Sequence, residues 1–381
     1  MDLSNCRHRI DEIDDQLLKL FTERMAISRE VASEKIAAGK PVLVPERERD
    51  IMRRISEEAG PEMSNDARML FNTILDLSRS VQYRMMHKGR HCDLGDRIRE
   101  AIAKTPDFLP AMPNVACCGI DGSYAYQAAE KAFNHLTING FKNFEGVAQA
   151  VKAGLCQYGV LPIENSAFGT VKPVNDLLAK YGFYIVRALK LHVRHALLVK
   201  PGTKLEDIRE ITSHEQAVGQ CGEFLRSLKN VTVISGDNTA VAARKVAESP
   251  RRDVASIASP MCAELYGLEI LREDIQDNAN NYTRFICISR NMEIYPGANR
   301  ISVTLRLPHR VGSLSRFVSR FAALGLNLVK LESAPLPGSD FEFTFYFDFE
   351  ASVRSAGVTE LLEELSVASD QFAFLGNYIE L

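Results

Sequence analysis

Apolar positions along the chain change period twice, and the changes divide it into three blocks. In the first, Ile10, Ile13, Leu17, Leu20, Ile27 and Val31 recur at spacings of three and four. That spacing predicts one long amphipathic helix of about four heptads, ended by Gly39 and Pro41. Pro45 opens a second, charged helix through Glu58, and Gly60-Pro61 close it. Ser64 or Asn65 caps a third, which runs past Met85 with Phe71, Ile74, Val81 and Met85 on its apolar stripe. Helices of such unequal length leave the long one's face partly covered, so a helical dimer is expected.

The second block alternates strand and helix. Val115-Ala116-Cys117-Cys118 reads as a buried strand, Gly119 and Gly122 as a turn, and residues 123–133 as a helix. Further strands are expected at 158–163, 184–189, 196–199, 231–234 and 285–289, with helices at 145–153, 173–181, 215–228 and 238–248. This alternation argues for mostly parallel sheets covered by helices, in one large α/β domain or in two lobes around a cleft. The last block reads strand 300–307, helix 312–324, strand 326–334, strand 341–349, helix 355–366 and strand 371–379. That order is a βαββαβ, ferredoxin-like α+β unit. The expected organisation is therefore multidomain, with boundaries at 1–90, 113–291 and 299–381 and a linker at 91–112.

Composition narrows the function classes. Apolar residues make up 46% and charged ones 25%, as in ordinary globular chains. The net charge of -3 lacks the basic excess of a nucleic-acid binder, so an anionic ligand must be met by local cations. Charges crowd the first twenty residues and no long apolar run follows, so neither a signal peptide nor a membrane span is expected. Eight cysteines without a C-x-x-C pair suit reduced thiols in a cytoplasm rather than a disulfide framework or a metal site. His192 and His195 form an H-x-x-H beside an apolar strand without a third ligand nearby, and read as structural. No nucleotide fingerprint is present, and no cofactor or metal is expected.

Residues 1–90 hold sixteen basic and sixteen acidic residues, yet Arg24 completes a heptad series otherwise filled by Ile10, Leu17 and Val31. A cation in that seam needs a partner. Lys35, eleven residues on, lies on nearly the same face, while Ser78 and Gln82 interrupt the third helix's stripe one turn apart. An intermolecular ion-pair network, solvated helix faces or a bound anion accounts for the pattern. Arg7, Arg24, Lys35, Arg47, Glu48, Ser78 and Gln82 fall in the order and spacing of the all-α chorismate mutases, and the block resembles that family throughout. The resemblance implies that Arg7 of a partner subunit, Arg24 and Arg47 hold the carboxylates of chorismate, with Ser78 beside them. Lys35 and Gln82 then face the ether oxygen and Glu48 takes the hydroxyl. Val44 stands where the family often has an aspartate.

The middle block sets polar residues beside strand and helix ends five times: Gly122-Ser123-Tyr124, Glu164-Asn165-Ser166, Ser213-His214 with Gln216, Asn238-Thr239, and Asn281 to Phe285. Ligands gather at such ends in α/β folds. Together with Leu265-Tyr266-Gly267-Leu268, these segments resemble prephenate dehydratase, whose fold is similar to two-lobed periplasmic binding proteins. The resemblance implies that Thr283 protonates the departing hydroxyl and Arg284 sits near a carboxylate. Glu164, Asn165 and Gln216 would position the ring, with Ser123 and Ser166 in the same substrate site.

The last block resembles an ACT domain. Gly312-Ser313-Leu314 and Glu332-Ser333 match the two places where dehydratases bind phenylalanine between paired domains; Ala334 stands where the pattern usually carries an arginine. The expected protein is a cytoplasmic homodimer or higher homo-oligomer. It would be an isomerase and carbon-oxygen lyase turning chorismate into prephenate and prephenate into phenylpyruvate, with L-phenylalanine as effector and no nucleic-acid or membrane partner. A ligand-responsive regulatory protein without chemistry, or an arogenate-using dehydratase, are the rival expectations.

Overall fold

The computed structural model describes residues 2–86, 93–236, 238–307, 309, 312–336 and 342–381. The chain forms two compact units. The first takes the chain up to Arg97 with Thr304–Phe347 and Val353–Ala373; the second takes Ile98–Val303, Asp348–Ser352 and Phe374–Leu381.

Helix α1 (Leu3–Ala37) has 35 residues, about 52 Å at 1.5 Å per residue. Only its C-terminal half is covered within the chain: Met25, Ser28 and Ala32 are buried, whereas Ile10 and Leu17 remain 54% and 53% exposed. The apolar seam read in the sequence is therefore bare among the described residues over the N-terminal half of the helix, and Ile27 stays 51% exposed beyond it. Helix α2 (Pro45–Glu58) opens on its proline, and α3 (Gly60–Met86) packs on both others. The third helix thus begins at Gly60 rather than after residue 63, because Gly60 at φ +72° turns the chain in a single residue.

Helix α4 (Leu94–Lys104) lies within the expected linker, with Leu94, Ile98 and Ala101 buried at helical spacing.

In the second unit the chain builds β1 (Asn114–Cys118), α5 (Tyr124–Ala132), β2 (Thr137–Phe141), α6 (Phe144–Ala153), β3 (Tyr158–Asn165), β4 (Gly169–Thr170), α7 (Lys172–Tyr181) and β5 (Tyr184–His192). It then crosses to a second sheet of β6 (Ala196–Val199), β7 (Glu210–His214), β8 (Thr232–Gly236), β9 (Val254–Ala258) and β10 (Glu269–Arg272). Helices α8 (Glu215–Gln220), α9 (Gly222–Ser227), α10 (Thr239–Glu248) and α11 (Met261–Tyr266) accompany that sheet. Strand β11 (Tyr282–Ser289) returns to the first. The single helix expected at 215–228 is two, broken at Cys221. The sheet orders are β5-β11-β3-β1-β2, with β4 on β3, and β10-β6-β9-β7-β8. Both are mixed rather than mostly parallel, since β11 runs antiparallel to β3 and β5, and β6 to β9 and β10. Each sheet carries an apolar core on both faces, which makes two lobes.

The two crossings between lobes are tied together. Arg194 donates to Asp274 at 2.7 and 2.8 Å, Ile275 N–H donates to His195 O, and His195 N–H donates to the Gln276 side chain at 2.8 Å. The His195 ring is buried against Tyr124 Oη (3.1 Å) and Gln220 Oε1 (2.7 Å). His192 stacks on Tyr282 and lies 2.8 Å from Ala279 O, so each histidine of the H-x-x-H has its own protein partner.

The remaining elements are β12 (Arg300–Arg306), α12 (Ser313–Ala323), β13 (Asn327–Pro335), β14 (Phe343–Glu350), α13 (Val358–Ala368) and β15 (Gln371–Glu380), in the expected βαββαβ order. Strands β12, β14 and β15 each have one end in each unit. In the second unit the end of β15 pairs in parallel with β5, Ile379 opposite Arg187 and Glu380 opposite Ala188. Gly376 permits this approach: at φ +150°, a Cβ there would lie 2.2 Å from Ile185 O. Among the described residues no helix is long and apolar enough to cross a membrane.

Gly376→Ala is expected to destabilise the second unit by about 2 kcal/mol or more, read as a lower midpoint in denaturant melts. Burial holds the His195 imidazole below its ordinary value of 6.5, against the opposing bond to Gln220. A depressed folded value means the unfolded chain takes the proton first, so this contribution is complete above about pH 6.5 and is lost as pH falls. Melting temperature should therefore drop less between about pH 7.5 and pH 5 in His195→Gln than in the parent chain.

Candidate active sites

The helical block gathers five of its expected site residues. Lys35, in the last turn of α1, donates to Val42 O (2.5 Å) and to Gln82 Oε1 (3.0 Å). Gln82 donates to Ser78 Oγ at 3.2 Å, and Ser78 lies 2.8 Å from Ser28 Oγ. Arg24 sits one turn before Ser28 with its Nη1 buried and without a hydrogen-bond partner. Desolvation pulls both Arg24 and Lys35 below their usual basicity, while nearby Glu48 partly restores Lys35. A buried donor without a partner and an ammonium beside a neutral amide make a site built for an anion.

Two expected carboxylate holders stand elsewhere: Arg7 and Arg47 are exposed on this chain. The cation on Glu48 is instead Arg79, which also bonds Asp76. Sequence reasoning missed Arg79 and Ser28. Ser28 carried a signal, a small polar residue on the face shared by Arg24 and Lys35.

In the second unit, β11 lies between β3 and β5 with Thr283 opposite Asn165 and Leu191. Thr283 is 8% exposed. Asn165 is the hub of this corner. Its Nδ2 donates to Thr283 Oγ1 (2.9 Å) and Asn281 Oδ1 (2.8 Å), and its Oδ1 accepts from the backbone of Ala167 and Phe168. Because Thr283 Oγ1 accepts from an amide, its own O–H remains available as a donor.

The other expected substrate residues divide. Ser166 donates to Asn280 O and accepts from Tyr282 N–H, and so braces the corner. Ser123 is buried as the cap of α5. Gln216 is exposed at the first turn of α8, where the His214 ring accepts from its backbone N–H. Ser213 is spent on Ile257 O. Glu164 is half-buried and pairs in register with Arg284.

Successive strand residues face opposite sides, so Arg284 points away from Thr283. It bonds Asp348 (2.5 Å) and Tyr378 Oη (2.8 Å) and pairs with Glu380 (2.7 Å).

The lobes meet near the β1 turn. Asn238, which caps α10 with its Oδ1, has its Nδ2 2.8 Å from where a Cβ on Gly119 would lie. Tyr266 donates to Asp121 O at 2.7 Å. Both come from segments already notable in the sequence.

The candidate effector residues lie in the first unit. Gly312, at φ +79°, precedes α12; Ser313 is buried and accepts from Arg316 at 3.1 Å, and Leu314 is half-buried. On β13, Glu332 pairs with Lys330 (3.2 Å) and Ser333 is exposed, as are the large side chains of Val329 and Leu331.

Comparison with known proteins supplies names for these segments. Residues 6–83 match the family model for chorismate mutase type II, and residues 115–293 match that for prephenate dehydratase. The arogenate dehydratase/prephenate dehydratase 2 of Arabidopsis thaliana is 37% identical over 276 residues, covering 69% of this chain and 72% of that one. A bifunctional chorismate mutase/prephenate dehydratase of Neisseria gonorrhoeae is 29% identical over 375 residues, 98% of this chain and 95% of that one. A solved prephenate dehydratase from Arthrobacter aurescens, in complex with L-Phe, superposes with a TM-score of 0.62 at 30% identity, covering 70% of this chain and 89% of that one.

Proposed function

This chain belongs to the prephenate dehydratase family, with a chorismate mutase type II domain ahead of the dehydratase domain, and we propose that it catalyses both steps in turn. It rearranges chorismate to prephenate, then converts prephenate to phenylpyruvate, carbon dioxide and water. One observation carries the reading: each family segment holds its own chemically suited cluster, Arg24-Lys35-Gln82 in one and Asn165-Thr283 in the other.

The first step is pericyclic. One C–O bond breaks, one C–C bond forms, and no proton moves, so the protein needs no nucleophile. It must hold a dianion in the reactive shape and stabilise charge at the breaking ether oxygen. Lys35 and Gln82 are adjacent donors fit for that oxygen, and the unpaired Arg24 donor for a carboxylate. Arg7 of a second copy completes the grip in this proposal, and the bare apolar face of α1 supports a homodimer.

In the second step the carboxylate leaves as carbon dioxide, its bonding electrons enter the ring, and hydroxide departs. Thr283 gives its proton to that hydroxide, forming water, and solvent returns the proton. The Asn165 corner suits this, since the hydrogen bond from its amide to the buried Oγ1 stabilises the oxyanion left behind. Prephenate rather than arogenate is the proposed substrate because the mutase cluster on the same chain delivers it.

The C-terminal βαββαβ module is proposed as an ACT domain that binds L-phenylalanine at Gly312-Ser313-Leu314 and Glu332-Ser333. The relative solved with L-Phe supports an effector role. The cytoplasm is the proposed compartment, which keeps the free thiols reduced.

Supplied with chorismate, Thr283→Ala should accumulate prephenate while phenylpyruvate formation falls about a hundredfold or more. Lys35→Ala should cut chorismate consumption by about a hundredfold and leave turnover of added prephenate intact. Full dehydratase rates in Thr283→Ala would refute its role. L-phenylalanine added to a prephenate assay should lower the rate, with L-tyrosine as comparison; if neither shifts activity or melting temperature, the sensor role falls.

A further inference from the structure

The guanidinium of Arg284 is 10% exposed and lies among partners drawn from the C-terminal strands. Asp348 Oδ2 accepts from it at 2.5 Å and Tyr378 Oη at 2.8 Å, and Glu380 Oε1 lies 2.7 Å from its Nε. These partners are themselves held. Ser302 donates to Asp348 Oδ1 at 2.5 Å and lies 2.6 Å from Tyr378 Oη, while Arg300 pairs with the second oxygen of Glu380 at 2.5 Å. Two largely buried cations thus meet two largely buried carboxylates, with Glu350 3.7 Å from Arg300 at the rim. A substrate carboxylate would have to displace Asp348 or Glu380 from a dry site, which the loss of their paired charge opposes.

The network bears on the strand that carries Thr283. Arg284 is the next residue, and the register of β11 against β3 shifts between Arg284 and Phe285. On its other edge β11 pairs with β5 in unbroken register from Tyr282 to Cys287, so the irregularity is confined to the β3 edge, the one that carries Asn165. The Arg284 side chain ties the strand at this point to Asp348, Tyr378 and Glu380. The restraint is continuous with backbone pairing, since β15 lies on β5 and Leu381 N–H donates to Ala188 O at 2.9 Å.

We infer that Arg284 is a positioning residue for the dehydration step: clamped by Asp348, Tyr378 and Glu380, it fixes β11 so that Thr283 Oγ1 stays under the Asn165 amide. The inference rests on the proposed dehydratase reading and assigns Arg284 a role other than gripping substrate. It also makes the last residues of the chain part of the dehydratase machinery.

The test uses the full chain and added prephenate, with kcat and KM measured separately for Arg284→Gln, Arg284→Lys, Asp348→Asn and the Arg284→Gln/Asp348→Asn pair. Displacing a proton donor without touching the binding groups lowers kcat about tenfold to a hundredfold and leaves KM within about twofold. Asp348→Asn should fall in the same sense, Arg284→Lys should recover part of the loss, and the pair should fall no more than about twofold below Arg284→Gln alone. Arg284→Gln leaves two buried carboxylates against one cation and risks unfolding, so the isosteric Asp348→Asn carries the decision if thermal melts show the first variant unfolded. A tenfold or larger rise in KM for Arg284→Gln, with Asp348→Asn like the parent, would make Arg284 a substrate ligand and overturn the inference. Parent-like kcat in Asp348→Asn overturns it as well. A parent chain that turns over no prephenate removes the dehydratase reading itself, and the inference with it.

Discussion

The register of β11 between β3 and β5 is the constraint on which the second unit's chemistry depends. Side chains alternate across a sheet, so one pairing register sends Thr283 to the Asn165 corner and Arg284 to the buried carboxylates. A slip by one residue would exchange them, placing an unpaired guanidinium in the corner and a hydroxyl among charges that need a cation. Both errors leave buried polar groups unsatisfied, each at a cost of about 1–3 kcal/mol or more. The register is thus enforced from both faces. It also settles where the lobes join, because β11 begins where the chain returns from the second sheet, at the braced segment Asn280–Tyr282.

The two clusters differ in electrostatics in the way their reactions require. The helical cluster is cationic, with an ammonium and a guanidinium partly withdrawn from water and a neutral amide between them. A rearrangement without proton transfer asks only for shape and charge stabilisation, and fixed donors serve that. The Asn165 corner is neutral: amides, a hydroxyl and backbone. Aromatisation of the ring supplies the driving force there, so one well-held proton suffices. A formal cation beside Thr283 would compete for the substrate carboxylate that has to leave, and the structure turns Arg284 away.

The sequence disclosed more of the helical block than of the sheets, for a physical reason. A polar residue inside an apolar seam is conspicuous at helical period, which is why Arg24 and Lys35 are readable as one face of the first helix and Ser78 and Gln82 as one side of the third. Arg79 was not, since its choice of Glu48 is made between helices. Strands β2, β7, β9 and β10 escaped because they are short and broken by small or polar residues, as in Thr137–Phe141 with its Asn-Gly, and only pairing within a sheet makes them strands. Helix α4 was hidden for the opposite reason: its burial rests on Leu94, Ile98 and Ala101 alone, in a stretch that is otherwise charged. For Arg284 the resemblance named the residue type, whereas the face follows from the two-residue period, and that period alone separates it from Thr283.

Strand β15 closes the physical account. Ferredoxin-like modules can fold on their own sheet, yet here the last strand continues past it and pairs with β5, which is hydrogen-bonded to β11. The approach is possible only where no side chain intervenes, and Gly376 provides that gap against Ile185 O. β15 thus meets β5 through Ile379 and Glu380, and meets Arg284 through the carboxylate of Glu380, so its last residues touch both the neighbour of β11 and β11 itself.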